Sequence, residues 1–180
     1  MAQAFAFMAW HYTTGDRFMQ ILKQRAIVPA ESADAAHGRP VIWFSVNDEF
    51  EPSACLVVRG ENGSARHFSV SETAEQGLGL VRLGVPVRTL LTCTELRRRA
   101  GIPAEAWAGM CEEARLQGSD PDQWFGCMNP VPIDKVVVEV RDDDASGWKR
   151  MQSGVVARYP QQRANSSGGR NGGPTHLAGR

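Results

Sequence analysis

Phe5-Ala6-Phe7-Met8-Ala9-Trp10-His11-Tyr12-Thr13 decides how this chain is read. The apolar run over residues 4–10 predicts a first strand, ended by the polar triplet just before an amphipathic helix. Thr13 and Asp16 have capping-box spacing, with Asp in place of the usual Glu or Gln, and Phe18, Ile21, Leu22 and Arg25 follow at helical steps. That helix should stop near Ile27-Val28-Pro29, because the residue before a proline is pushed out of the helical region. An imidazole and a hydroxyl at the mouth of a strand orient a polar ligand more reliably than the same pair on a mobile loop. His11 and Thr13 are therefore the first candidate ligand residues.

Residues 31–40 form a polar connection to a second strand, Val41-Ile42-Trp43-Phe44-Ser45-Val46, whose bulky and β-branched composition is that of a buried element. Neighbouring strand positions point to opposite faces, so Trp43 and Phe44 cannot both stack on one ligand ring. Phe44 and Ser45 are the favoured site candidates. An acidic loop, Asn47-Asp48-Glu49-Phe50-Glu51-Pro52, follows, and Glu51-Pro52 could make a rigid rim beside Ser45. Residues 55–59 and 66–70 read as a hairpin around Gly60-Glu61-Asn62-Gly63.

Leu80-Val81-Arg82-Leu83 is a short strand, and Thr94-Glu95-Leu96-Arg97 starts a helix that Gly101 should stop. A longer helix is expected over residues 104–116, with Trp107, Met110, Cys111 and Ala114 as a core-facing stripe, ended by Gly118-Ser119-Asp120-Pro121. Trp124-Phe125 reads as a lid or a satellite packing cluster. Residues 135–141 form a strand, with the acidic turn Asp142-Asp143-Asp144 and a return around Trp148 to Met151. Within that strand Glu139 is either a site carboxylate or part of a half-exposed face.

A single α+β domain is expected over residues 1–159, with a Gly-, Ser- and Asn-rich tail over 160–180 that buries too little apolar area to order. The 20 basic and 20 acidic side chains cancel, but Arg163, Arg170 and Arg180 lie in the tail, leaving the body 17 basic against 20 acidic groups. Duplex nucleic acid is a poor partner for such a surface. Cys55, Cys93, Cys111 and Cys127 contain no CxxC pair, which favours thiols used as small apolar groups in a cytoplasmic protein over a metal site or disulfide framework. The opening segment lacks a basic n-region, so it reads as a strand rather than a signal peptide or membrane span.

Taken together, His11-Tyr12-Thr13, the helix carrying Ile21-Leu22 with Ile27 and Pro29 beyond it, and Trp43-Phe44-Ser45 resemble the amino-terminal half of small bacterial ADP-ribosyltransferase-like proteins. The likeness is to the DarT-like and RNA 2'-phosphotransferase-like side of that superfamily and covers about the first 55 residues, with a weaker match placing Glu139 in a late strand. It implies an α+β fold with a split, mostly antiparallel β core and flanking helices that clamps NAD in a cleft. His11 then matches the residue that contacts an NAD ribose, Thr13 helps to position ribose hydroxyls, and Phe44 or Ser45 lies in the second motif near the nicotinamide. Glu139 matches the late glutamate that aligns the nicotinamide ribose and activates an acceptor, with Glu49 and Glu51, just after Ser45, as rival carboxylates.

Two departures accompany the likeness: no distinctive glutamate loop surrounds residue 139, and Tyr12 adjoins His11 instead of occupying the second motif. No Walker loop or GxGxxG fingerprint is present, so NAD would need a non-Rossmann pocket, with Arg17 one candidate for its pyrophosphate. The expected activity is transfer of ADP-ribose to a protein or nucleic-acid acceptor. The alternatives are RNA 2'-phosphate transfer, which needs more basic surface than the scattered arginines offer, and a catalytically silent interaction module on the same scaffold.

Overall fold

The computed structural model describes residues 7–29, 38–59, 64–141 and 147–152. From the amino terminus, β1 (Met8–Thr14) runs straight into α1 (Gly15–Gln24), followed by the short β2 (Ala26–Ile27) and then β3 (Ile42–Ser45). A 3-10 turn at Pro52–Ala54 leads to the hairpin β4 (Val57–Arg59) and β5 (Ala65–His67), then α2 (Val70–Gln76) and β6 (Leu80–Pro86). The chain continues through β7 (Leu91–Thr92), α3 (Cys93–Ala100), α4 (Ala104–Leu116), β8 (Trp124–Cys127), β9 (Val131–Pro132), β10 (Val137–Arg141) and β11 (Lys149–Arg150). Seven strands form one sheet in the order β11-β10-β6-β1-β3-β8-β7, antiparallel throughout, while β2 pairs with β9 and β4 with β5.

The sheet has a weak seam. β1 is laddered to β6 along its whole length, from Met8↔Pro86 to Thr14↔Leu80, and β3 to β8 over four positions. Between β1 and β3 the register holds one pair, Trp10↔Ser45. A four-stranded half, β11-β10-β6-β1, and a three-stranded half, β3-β8-β7, therefore meet at a single point. This is a mixed α and β fold with an antiparallel sheet and flanking helices, and the seam positions the site described below.

Alternation divides the apolar residues between the two faces. Ala9, Ile42, Phe44, Val81, Leu83, Val85 and Val138 pack with Phe18 and Ile21 of α1 on one side. Trp10, Tyr12 and Leu80 pack with Phe50 and Ala74 on the other. Close approach at β8 excludes side chains altogether: a Cβ on Gly126 would stand 2.6 Å from Leu96 Cδ2 and 2.8 Å from the Ile42 carbonyl oxygen. Gly126→Ala is expected to destabilise the fold by about 1–3 kcal/mol, the usual cost of overpacking, read as a lower urea midpoint at unchanged m-value.

Several elements differ from expectation for identifiable reasons. Residues 4–6 lie outside the described residues, and β1 extends through His11, Tyr12 and Thr13 because β6 offers an unbroken partner. The N-cap of α1 is Thr14, not Thr13, and its hydroxyl donates to the Asp16 carboxylate instead of accepting a backbone N–H. The helix ends earlier, at Arg25, which takes a left-handed φ of 58° before β2.

Val70 opens α2 rather than closing the hairpin strand, since Ser69 and Glu72 form a reciprocal capping box with bonds of 3.1 and 2.8 Å. Trp124-Phe125 is strand, not lid: it is laddered on both sides by β3 and β7. α4 matches its expected span, and α3 ends at Gly101 with φ 69°. The turn Gly60-Glu61-Asn62-Gly63, the Asp142-Asp143-Asp144 turn, most of the 31–40 connection and the 160–180 tail fall outside the described residues. Among the described residues no helix is long and apolar enough to cross a membrane.

Candidate functional site

Where the half-sheets part, the gap admits side chains from both faces. A cavity of about 370 Å³ opens there, bordered by His11, Phe44 and Ser45 at the seam, by Glu51 and Ala54 from the 3-10 turn, by His67 of β5 and by Met110 and Ala114 of α4. Its volume is within the range of small-molecule sites.

His11 occupies the break in the ladder. Its Nδ1 lies 2.9 Å from the Trp43 carbonyl oxygen, so the ring takes over a backbone acceptor that the interrupted β1–β3 pairing leaves open. A carbonyl can only accept, which places the proton on Nδ1 and leaves Nε2 with its lone pair. Burial pushes the imidazole below its ordinary value, with the nearby Arg17 charge acting the same way and the Trp43 bond opposing. A neutral ring with one nitrogen fixed and the other an acceptor can take a hydroxyl proton from a ligand without holding permanent charge.

Ser45 is buried beside it, and its Oγ accepts the Asn47 N–H at 3.1 Å, keeping its own hydroxyl proton as a donor. Glu51 is only 6% exposed, an uncommon state for a carboxylate, and its Oε1 accepts from Ser53 Oγ at 2.9 Å. Opposite stands an aromatic wall. Trp43 stacks on Trp107 of α4 at 6.1 Å and 26°, and Trp124 closes the group edge-on to Trp107 at 6.2 Å and 84°. Trp124 Nε1 is the one buried side-chain polar atom without a hydrogen-bond partner among the described residues. At the rim, His67 Nε2 and Glu113 Oε1 are 3.8 Å apart, linking the β4–β5 hairpin to α4.

His11, Phe44, Ser45 and Glu51 thus share one cavity, while Thr13, Arg17 and Glu139 do not line it. Thr13 is buried in β1 opposite Val81. Arg17 is exposed on the first turn of α1. Glu139 lies in a row with Arg82 and Tyr12 across β10, β6 and β1, on the sheet face opposite to His11. It is held there by Arg82, whose Nε and Nη2 approach its Oε2 at 2.7 and 2.6 Å. Burial pushes the Tyr12 phenol up to about 12, with Arg82 opposing, so it remains a donor and bonds the Asn47 carbonyl.

The Trp107–Trp124 part of the aromatic wall and the Arg82–Glu139 pair were not expected. A lone arginine in Leu80-Val81-Arg82-Leu83 was the available signal for the second, since a charge in a central strand needs a buried partner. Of the thiols, Cys93 donates to the Pro121 and Trp124 carbonyls at 3.2 and 2.9 Å, and burial pushes it to about 11, away from nucleophilic reactivity. Among the described residues no group of His, Cys, Asp and Glu side chains could hold a metal ion. No family model, curated protein or solved structure matches the chain.

Proposed function

We propose that the seam cavity binds the nicotinamide riboside end of NAD and that the protein transfers ADP-ribose to a macromolecular acceptor. One observation carries this reading: a neutral imidazole fixed through Nδ1 shares an apolar cavity with a buried carboxylate, at the point where an antiparallel sheet divides. The resemblance of His11-Tyr12-Thr13 and Trp43-Phe44-Ser45 to ADP-ribosyltransferase-like proteins supports it independently.

In this reading His11 Nε2 accepts a ribose hydroxyl, and the ring of Trp43 or Phe44 flanks the nicotinamide. The bond between the ribose carbon and the nicotinamide nitrogen breaks with its electron pair leaving on nicotinamide. Positive charge then develops at the sugar carbon, where the Glu51 carboxylate stabilises it and takes the proton that the acceptor's oxygen or nitrogen gives up on attack. Glu51, and not Glu139, has this role because it borders the cavity with His11 and Glu139 does not; Glu113, the other carboxylate of the lining, is exposed at the rim beside His67.

The test is release of nicotinamide from NAD by the purified protein, with and without protein and nucleic-acid acceptors to separate hydrolysis from transfer. His11→Ala is expected to lower the rate by at least about tenfold with the fold retained, in line with the loss of one positioning contact. Activity should also fall in acid, where His11 gains a second proton and loses its acceptor. A wild-type protein that releases no nicotinamide, or a His11→Ala rate equal to wild type, rejects the reading.

A further inference from the structure

Three successive backbone carbonyls, those of Asn47, Asp48 and Glu49, are each held by a side chain from a different part of the fold. The Tyr12 hydroxyl of β1 donates to the first, Arg82 Nη1 of β6 to the second, and Trp148 Nε1, just before β11, to the third at 2.7 Å. Loop carbonyls ordinarily face water. Three captured in a row fix the path of the backbone from the end of β3, and that path delivers Phe50 onto the Tyr12 ring at 5.1 Å and then Glu51 into the cavity.

Arg82 is the centre of the device. Its guanidinium carbon lies 4.0 Å from the centroid of the Trp10 ring and 4.5 Å from that of Trp148, and two of its nitrogens bond Glu139. Its remaining nitrogen, Nη1, is the one turned to the Asp48 carbonyl. A guanidinium is a planar fork, so fixing Nε and Nη2 on one carboxylate oxygen also fixes where Nη1 points.

We infer that Glu139 is a positioning residue: through Arg82 and the clamped 47–49 carbonyls it sets the placement of Glu51. The consequence for turnover rests on the NAD reading; the clamp itself does not. Glu139 touches no reacting atom in this scheme, and the acidic loop works through its carbonyls rather than through the carboxylates of Asp48 and Glu49, which are exposed.

The test uses Glu139→Gln and Trp148→Phe, each alone and combined with Glu51→Gln. Two measurements are made: nicotinamide release separated into kcat and KM, and backbone amide exchange over residues 46–55. Trp148→Phe keeps a ring beside Arg82, drops one donor and leaves the Arg82–Glu139 pair whole, so the test does not depend on how well Glu139→Gln folds. Both single variants are expected to speed exchange over 46–55. They should also lower kcat by up to about a hundredfold with little change in KM, as misplacement of a reacting group does.

In the Glu51→Gln background neither is expected to lower kcat further, since nothing is left to place. Unchanged exchange in both variants overturns the clamp. A further fall in kcat for Glu139→Gln in that background also overturns the inference, because it puts Glu139 at the reacting atoms. If the wild type releases no nicotinamide, the NAD reading falls and the exchange measurement alone decides the clamp.

Discussion

Glu51→Gln is expected to lower nicotinamide release from NAD by roughly a hundred- to a thousandfold, the scale of losing one preorganised electrostatic contact to a transition state. The substitution conserves shape and removes charge. Glutamine still offers an oxygen to Ser53 Oγ, which stands 2.9 Å from Oε1, so the 3-10 turn that carries the residue keeps its local bond. In the NAD reading the ground-state contacts persist, through the ring of Trp43 or Phe44 and the His11 acceptor, and KM should move little.

In the NAD reading the loss is confined to the step in which the sugar carbon becomes positive. A carboxylate at 6% exposure has little water to screen it, so its charge acts on that carbon more strongly than an exposed one would. Unfolding by heat or urea should be close to wild type, which separates this effect from destabilisation. A kcat within about threefold of wild type would remove Glu51 from the chemistry, because contacts of this class cost far more when lost.

The secondary structure was legible wherever local signals and tertiary packing agree. α4 has its apolar stripe at three- and four-residue steps and its stop at Gly118-Ser119-Asp120-Pro121, and it forms over Ala104–Leu116 as that pattern requires. The Val57–His67 hairpin and the strand carrying Val138 follow for the same reason. The sequence misleads where a partner decides. His11, Tyr12 and Thr13 look like the end of a strand, yet β6 pairs with every one of them, and Trp124-Phe125 looks like a loose aromatic pair until β3 and β7 flank it.

The site was half legible. His11, Phe44, Ser45 and Glu51 lie in segments whose local chemistry marks them, whereas Trp124 reaches the cavity only through its pairing with Ser45, and Trp107 stands behind it only through its stack on Trp43. Glu139 and Glu51 were equivalent on the page of the sequence. The structure separates them: the strand register puts Arg82 directly opposite Glu139, while Glu51 borders the cavity.

Arg82→Met is expected to be the most destabilising of the substitutions considered, costing about 3–5 kcal/mol, since it strands the carboxylate of a pair taken largely out of water. The two side chains are 11% and 16% exposed, so solvent relieves little of that cost. For a domain of this size the loss corresponds to a fall of roughly 10 °C or more in Tm. Two further contacts go with the guanidinium: the stack between Trp10 and Trp148, and the donor on the Asp48 carbonyl.

A paired change separates these terms. In Arg82→Met with Glu139→Gln neither charge of the pair remains, and an unbranched thioether, shorter than arginine, fills part of the space between the two indoles. The double variant is therefore expected to recover most of the lost stability, with a remaining deficit of about 1–3 kcal/mol for the Asp48 carbonyl left without its donor. A double variant no more stable than Arg82→Met alone would show that the stranded charge is not the dominant cost. The stability would then come from the cation held between Trp10 and Trp148, and Glu139 would serve to orient that cation rather than to neutralise it.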